Sequence, residues 1–486
     1  MGVGHFGRRV FTLDDQEAFA AFSGDRNPMH VDPVAARRTQ AGSCALHGVH
    51  AFLWALEALA AAGFPLRRLV AARVDFARFI ALDRQVELAL RSDGEDLLAT
   101  GRLTAELLQG DRRVVWLELR FAEPQPALAE ADHFPRMTLP DAPAEPTPVG
   151  LQQAEGAFDP APAAARMAAR LFPCLTATLG LGRTVSLGLV SALVGMVVPG
   201  LYSILSTIRL DFGACDEAPG WLEYRVALSD LRFRMATIAV SGPGLSGSVG
   251  VFMRFPPVPA PTLEQAEARL SGREFADRQA LVVGGSRGLG ACAAKLIAAG
   301  GGSVALTYLS GLSEAEAIRA EIADRYGPDR CAIVRYDCAA DPARQLDTVP
   351  GSFTHVYYFA TGPIADPSDG RFDRVRFDGF VDIYVAGFER LARTLVERQP
   401  ETPLHMLYPS SAFVEMRPRS MTEYAMAKAA GEILCVDLAR RHRSLTISTP
   451  RLPRVLTDQT ATVPPVPSED PVAVLLPILR AEARVG

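Results

Sequence analysis

One order of elements constrains this chain more than any other feature, because it occurs twice. In residues 1–122 a long apolar helix candidate, "ALHGVHAFLWALEALAAAG" (Ala45–Gly63), precedes four strand-like runs: "LVAARVDFARFI", "QVELALRSDG", "LLATGRLTAELLQ" and "RRVVWLELRFAE". In residues 151–258 the order returns. The apolar run "TVSLGLVSALVGMVVPGL" (Thr184–Leu201) is followed by "LYSILSTIRLDFG", "WLEYRVALSD", "FRMATIAVSGPG" and "GSVGVFMRFPP". Alternation of apolar and polar residues in "VVWLELRF" marks a strand with one buried face. One helix followed by antiparallel strands predicts an α+β unit in which a sheet wraps a helix. Its recurrence predicts a tandem, far-diverged repeat.

The remainder changes style. Strands "QALVVGG", "SVALTYL" and "CAIVRYD" alternate with helices "GLGACAAKLIAAGG" and "SEAEAIRAEIADRYG". That is the βαβ rhythm of a doubly wound parallel sheet. Proline and alanine at high density, in "EPQPALAEADHFPRMTLPDAPAEPTPVG" (Glu123–Gly150) and "PPVPAPT" (Pro256–Thr262), read as linkers. The expected plan is a first α+β domain at 1–122, a linker at 123–150, a second copy at 151–258, a linker at 259–275 and a Rossmann-type α/β domain at 276–486.

Composition narrows the function classes. A net charge of −5 over 486 residues lacks the basic excess expected of a nucleic-acid binder. The seven cysteines form no CxxC pair and no zinc-finger spacing, which predicts reduced thiols in a cytoplasmic protein without a structural metal. Asp14, Asp15, Glu17 and Asp25 interrupt the first thirty residues, so no signal peptide is expected. The uncharged run Thr184–Leu201 has 18 residues, the lower edge of membrane-spanning length. Its three glycines, one proline and two serines predict a buried core helix, and no membrane partner.

In "LVVGGSRGLGACAAKLIAAGG" a strand runs through a glycine turn into a helix. Gly284, Gly288 and Gly290 permit a tight turn and close approach of a pyrophosphate to the helix N-terminus. Further on, Tyr424 and Lys428 in "YAMAK" share a helix face, and an ammonium beside a phenol favours the phenolate. Ser411 ends a strand thirteen residues before Tyr424. Together these residues resemble the short-chain dehydrogenases/reductases. The resemblance implies Tyr424 as proton donor to a carbonyl, Ser411 as its orienting partner, and Lys428 as holder of the ribose that lowers the tyrosine pKa. It implies a nicotinamide cofactor cradled by Gly284, Ser286, Arg287, Gly288, Leu289 and Gly290, with Asp337 at the adenine and Ala360 of "FATG" nearby. The end of the second strand, "ALTYLSGLS", carries no acid for a ribose 2′-hydroxyl, and Arg287 can meet a 2′-phosphate, so NADP(H) is expected over NAD(H). Three positions depart from the family pattern: Tyr384 in place of an asparagine, Arg451 in place of a glycine after Pro450, and a C-terminus without a glycine-rich last strand.

Near the N-terminus stands "FSGDRNPMHVDP" (Phe22–Pro33). Asp and Asn at this spacing suit a capped turn, and an acid beside an imidazole suits proton transfer; the residues alone leave both open. With Gly24-Asp25-Arg26-Asn27-Pro28-Met29-His30, Val31-Asp32-Pro33 and the later His47-Gly48, residues 6–122 resemble the MaoC-like, (R)-specific enoyl hydratase, hot-dog family. The resemblance implies Asp25 and His30 as the acid–base pair, Asn27 positioning water, and amides at a helix start near Gly48 receiving the thioester oxyanion. His47 and His50 are read as helix-start structure. The second copy, with Ser186, Ser191 and Ser203 as scattered hydroxyls, is read as a degenerate hot dog that shapes the acyl tunnel.

The two resemblances share an intermediate, a 3-hydroxyacyl thioester. The expectation is a bifunctional enzyme that reduces a 3-oxoacyl thioester with NADPH and dehydrates the (3R)-hydroxy product to the 2-enoyl thioester. Its partner is an acyl chain on acyl carrier protein or coenzyme A, and a homodimer is compatible with it. The alternatives are the reverse, NAD-dependent direction and a scaffold with an inactive nucleotide-binding reductase.

Overall fold

In a computed structural model of the chain, the described residues are 4–91, 100–123, 134–214, 220–349, 351–364, 371–462 and 466–482. Cys215 lies outside them. The other six cysteines are free thiols. The chain divides into two compact units, one built on Met1–Pro256 and the other on most of the remainder.

The first unit is one eleven-stranded sheet. Its strands are β1 (Gly4–Val10), β2 (Leu69–Phe76), β3 (Gln85–Leu90), β4 (Arg102–Gln109), β5 (Arg112–Phe121), β6 (Arg136–Met137), β7 (Glu155–Phe158), β8 (Ser203–Phe212), β9 (Leu222–Asp230), β10 (Met235–Gly242) and β11 (Leu245–Met253). The spatial order is β1-β3-β4-β5-β2-β8-β11-β10-β9-β7-β6. Read from its far side and leaving out the two-residue edge strand β6, the second half runs β7-β9-β10-β11-β8, position for position the order β1-β3-β4-β5-β2. The halves join where β2 pairs antiparallel with β8, Arg73 opposite Arg209. Those two strands carry the sequence likeness between the halves.

Each half carries its apolar helix on the inner face of the sheet. Helix Gly48–Ala61 buries Val49, Ala51, Phe52, Leu53, Leu56 and Leu59. Helix Leu181–Ala192 buries Val185, Leu187, Leu189 and Val190 and continues into a wider π turn, Leu193–Val197. Both helices and the inward residues of both half-sheets form one apolar core. At roughly 1.5–3 kcal/mol for each large apolar side chain buried, this shared core binds the halves into one folding unit. Among the described residues no single helix is long and apolar enough to cross a membrane. The helices Pro173–Leu179 and Leu181–Val197 pass that test together, but they are bent by 116°.

The second unit has a six-stranded parallel sheet of β12 (Gln279–Val283), β13 (Ser303–Tyr308), β14 (Cys331–Arg335), β15 (His355–Tyr358), β16 (Leu404–Leu407) and β18 (Leu445–Ser448). The order is β14-β13-β12-β15-β16-β18, which reverses direction at β12. That reversal is the switch point at which doubly wound sheets bind ligands. Leu281 and Val283 face one core while Ala280 and Val282 face the other, as a sheet covered on both faces requires. A short pair, β17 (Ser410–Ser411) and β19 (Arg451–Leu452), extends beyond the sheet.

Both stretches read as linkers carry structure. Strand β6 pairs with β7, and the Ala144 N–H donates to the Met196 carbonyl at 2.8 Å. In the other stretch Thr262 and Gln265 form a capping box on helix Leu263–Glu267, and Leu263, Ala266 and Phe275 enter the core of the second unit.

Candidate active sites

In the first unit the site begins as a helix ending. Helix Leu13–Ser23 stops at Gly24, whose φ of 83° is left-handed and suits glycine. Asp25 and Asn27 then cap the turn. The Asn27 N–H donates to Asp25 Oδ1 (3.1 Å), and the Met29 N–H donates to Asn27 Oδ1 (3.1 Å). Pro28 opens the short helix Pro28–Val31, which presents His30. The turn is therefore both capped and poised for chemistry. Asp25, Asn27 and His30 are all buried.

Around Asp25 the imidazoles of His30 and His47 stack at 3.9 Å between centroids. One ring nitrogen of each histidine and an Asp25 oxygen lie within 4.8 Å of one another. His30 Nδ1 meets the Ala45 carbonyl at 2.7 Å; a carbonyl only accepts, so Nδ1 carries the proton and Nε2 the lone pair. Gln16 Oε1 accepts the His47 backbone N–H (3.0 Å), which fixes it as an oxygen, and it also faces His47 Nδ1 at 2.8 Å. His47 Nε2 also faces acceptors, the Asp25 carbonyl at 3.2 Å and Asp25 Oδ2 at 3.8 Å, so the neutral ring, with one N–H, donates to either Gln16 or Asp25 and not to both at once. The donor set suits a divalent ion in kind, but near-parallel rings do not converge their lone pairs on one point as tetrahedral coordination needs.

Burial dominates the electrostatics. It pushes the Asp25 carboxyl up, opposed by His30, Ser191 and the Asn27 amide. It pushes His30 down, opposed by Asp25, and pushes His47 well below the usual imidazole range. Burial therefore disfavours charge on each of the three groups. Gly48 opens helix Gly48–Ala61, and its N–H belongs to the turn that lacks intrahelical acceptors.

The structure adds to two expectations. Asn27 also ties the loop to the second half, its Nδ2 donating to the carbonyls of Gly195 (2.9 Å), Gly200 (3.2 Å) and Leu201 (3.3 Å). His47 is not mere helix-start structure, because it stacks inside the site. His50 is: neither of its ring nitrogens has a partner, and it stacks on Phe19 at 4.5 Å. The sequence reading missed Ser191, whose Oγ donates to Asp25 Oδ2 at 2.7 Å. Nothing local in the sequence ties Ser191 to a residue 166 positions away.

In the second unit the glycine turn lies at the end of β12, where the sheet order reverses. Gly284 (φ 77°) and Gly288 (φ 56°) need left-handed backbone. A Cβ at Gly290 would stand 2.2 Å from the Gly284 carbonyl oxygen, and one at Gly284 would stand 2.8 Å from the Ala360 nitrogen. Only glycine leaves the cradle that a pyrophosphate needs at the start of helix Gly288–Ala299, so these residues fit a dinucleotide. Asp337 follows β14, and its Oδ1 caps the Ala339 N–H at 2.9 Å. Arg287 faces Asp458 at 3.8 Å, so an acid shares the cation expected for a 2′-phosphate.

Ser411, Tyr424 and Lys428 come together, and all are buried. Burial pushes the Tyr424 phenol up to about 12, and the Ser411 hydroxyl bond opposes that rise. Burial draws Lys428 down to about 7. Burial thus outweighs the Ser411 bond at the phenol. Lys428 Nζ donates to the Pro409 carbonyl at 2.7 Å and lies over the Tyr384 ring at 3.9 Å, against 5.9 Å for Tyr424. Tyr384 sits in a π turn, Asp382–Gly387, and meets Thr361 Oγ1 at 2.5 Å. Arg451 is held by Glu432 at 2.8 Å.

Comparison with known proteins finds a match over the first of these sites. Residues 5–105 match the MaoC like domain. No curated protein matches the chain. Similar solved structures include a short chain dehydrogenase from Burkholderia cenocepacia in complex with NADP, 25% identical over 38% of this chain and 78% of that one, with a TM-score of 0.35. A dehydrogenase/reductase from Sinorhizobium meliloti is 23% identical over 43% and 88%, with a TM-score of 0.37. A short chain dehydrogenase from Salmonella enterica is 17% identical over 44% and 93%, with a TM-score of 0.40.

Proposed function

We propose that this chain, a MaoC-like domain at residues 5–105 joined to a short-chain dehydrogenase/reductase-like unit, interconverts 3-oxoacyl, (3R)-hydroxyacyl and 2-enoyl thioesters. The buried Asp25–His30 pair beside the N-terminus of helix Gly48–Ala61 carries the reading. In dehydration His30 Nε2 takes the C2 proton while Asp25, held toward its acid form, gives a proton to the C3 hydroxyl. The C2–H and C3–O bonds break, the C2=C3 bond forms and water leaves. Enolate charge on the thioester oxygen meets the Gly48 N–H and the positive end of the helix. The repeated strand order supports a second, degenerate hot dog that completes the acyl tunnel.

In the second unit Gly284, Ser286, Arg287, Gly288, Leu289 and Gly290 would hold a nicotinamide dinucleotide, with Asp337 at the adenine and Ala360 against the turn. That group supplies hydride when bound. Tyr424 gives a proton to the substrate oxygen, Ser411 orients the phenol, and Lys428 holds the ribose. The absence of an acid after β13 supports NADP(H). The carrier is acyl carrier protein or coenzyme A, and the working direction is reductive. A second reading is a unit that binds nucleotide with slow turnover. Lys428 bound to the Pro409 carbonyl and lying over the Tyr384 ring favours it.

Two assays on the full chain decide. Hydration of crotonyl-CoA is expected in the wild type, with Asp25→Asn reducing it by roughly 10²-fold or more; retained activity refutes the acid–base assignment. Reduction of a 3-oxoacyl-CoA is expected with NADPH, faster than with NADH, and is lost in Tyr424→Phe. Reduction that Tyr424→Phe leaves unchanged refutes the proton-donor role. No reduction in the wild type leaves the nucleotide-binding reading.

A further inference from the structure

Both halves of the first unit meet at one carboxylate. Asp25 Oδ1 holds the Asn27 N–H of its own loop, while Oδ2 holds the Ser191 hydroxyl from the last turn of helix Leu181–Ala192. That helix runs directly into Leu193–Val197, the π turn. A Cβ at Gly195 would stand 2.2 Å from Asp25 Oδ1 and 2.6 Å from Cγ, so the carboxylate lies flat on bare backbone. The Gly195 carbonyl in turn accepts the Asn27 amide. A helical serine ordinarily turns its hydroxyl back to its own preceding carbonyl or out to water. Ser191 is buried and spends its hydroxyl on a residue of the other half.

We infer that Ser191 is a positioning residue for Asp25, so that the half without its own acid–histidine pair holds the acid of the other half in its working orientation. This inference rests on the hydratase reading for its catalytic meaning, and on geometry alone for its contact. The bond fixes the Oδ2 lone pair and stabilises the ionised carboxylate. The titratable groups facing that carboxylate are His30 and His47, and Arg254 acts on His30. The acid limb of any pH profile therefore belongs to the coupled set, and removing the hydroxyl moves it upward.

The test compares wild type, Ser191→Ala, Ser191→Thr and Ser191→Cys in the full chain. Alanine suits a helix interior, and cysteine keeps the size without a strong donor. Ser191→Ala and Ser191→Cys are expected to lower kcat for crotonyl-CoA about tenfold with KM within about twofold. Both raise the acid limb of kcat/KM, and Ser191→Thr recovers most of the loss. A second readout needs no turnover. In protein labelled with ¹³C at aspartate carboxyls, the Asp25 signal is identified by its loss in Asp25→Asn. Its midpoint is expected to rise in Ser191→Ala by about half a pH unit or more, as loss of one hydrogen bond to a carboxylate implies. An unmoved Asp25 midpoint overturns the inference, as does unchanged kcat with an unmoved acid limb. If the wild type does not hydrate crotonyl-CoA, the hydratase reading falls, and the carboxyl titration still decides Ser191.

Discussion

His47 and His50 stand within one helical turn of each other, and the structure gives them opposite parts. His47 is tied by Gln16 and faces Asp25; His50 is packed among Phe11, Phe19 and Phe172 with both nitrogens unpartnered. Burial draws His50 down to about 3, so the fold must hold it neutral. The sign follows. A histidine whose folded pKa is depressed contributes nothing to instability above its unfolded value near 6.5, and stability falls as pH drops below that. Between pH 7.5 and pH 5 the loss from His50 alone is about 2 kcal/mol. His50→Phe is expected to keep hydration activity and to shrink the fall in urea midpoint between pH 7.5 and pH 5. An unchanged fall counts against the buried neutral imidazole. Local spacing made Asp25, Asn27 and His30 legible in the sequence. The role of His47 was not, because it depends on Gln16, 31 residues away.

Elements repeat the lesson at longer range. The strand–turn–helix at Gly284 to Gly290 was legible because its glycines answer backbone demands within a few residues. The π turns were not legible. Leu193–Val197 and Asp382–Gly387 each place one side of an extra-wide turn against a site, Gly195 under Asp25 and Tyr384 under Lys428. Such turns cluster at functional positions because one added residue re-aims everything after it. Deleting Val194 is therefore expected to restore an ordinary helix and rotate the following backbone by about 100°. It should abolish hydration while reduction by the second unit survives. Survival of hydration shows that the turn is not needed.

At the scale of the molecule the sequence showed three parts, and the structure has two units. The helix-then-strands order occurs twice in the sequence, and the structure gives both halves the same strand order. That two copies would share one sheet and one core was not legible, because β2 and β8 pair across more than a hundred residues. If the hydroxyacyl thioester leaves one site before reaching the other, a mixture of Asp25→Asn and Tyr424→Phe proteins should convert a 3-oxoacyl-CoA and NADPH to the enoyl product. Neither protein should do so alone, and a mixture that forms no enoyl product excludes a freely released intermediate. The β2–β8 seam also bears on descent. In a pair of identical chains every substitution is made twice, once in each site, so neither copy can change its surface without changing its own chemistry. Two halves read from one message escape that rule. A serine and a glycine can then be selected in one half solely for what they do to an aspartate in the other.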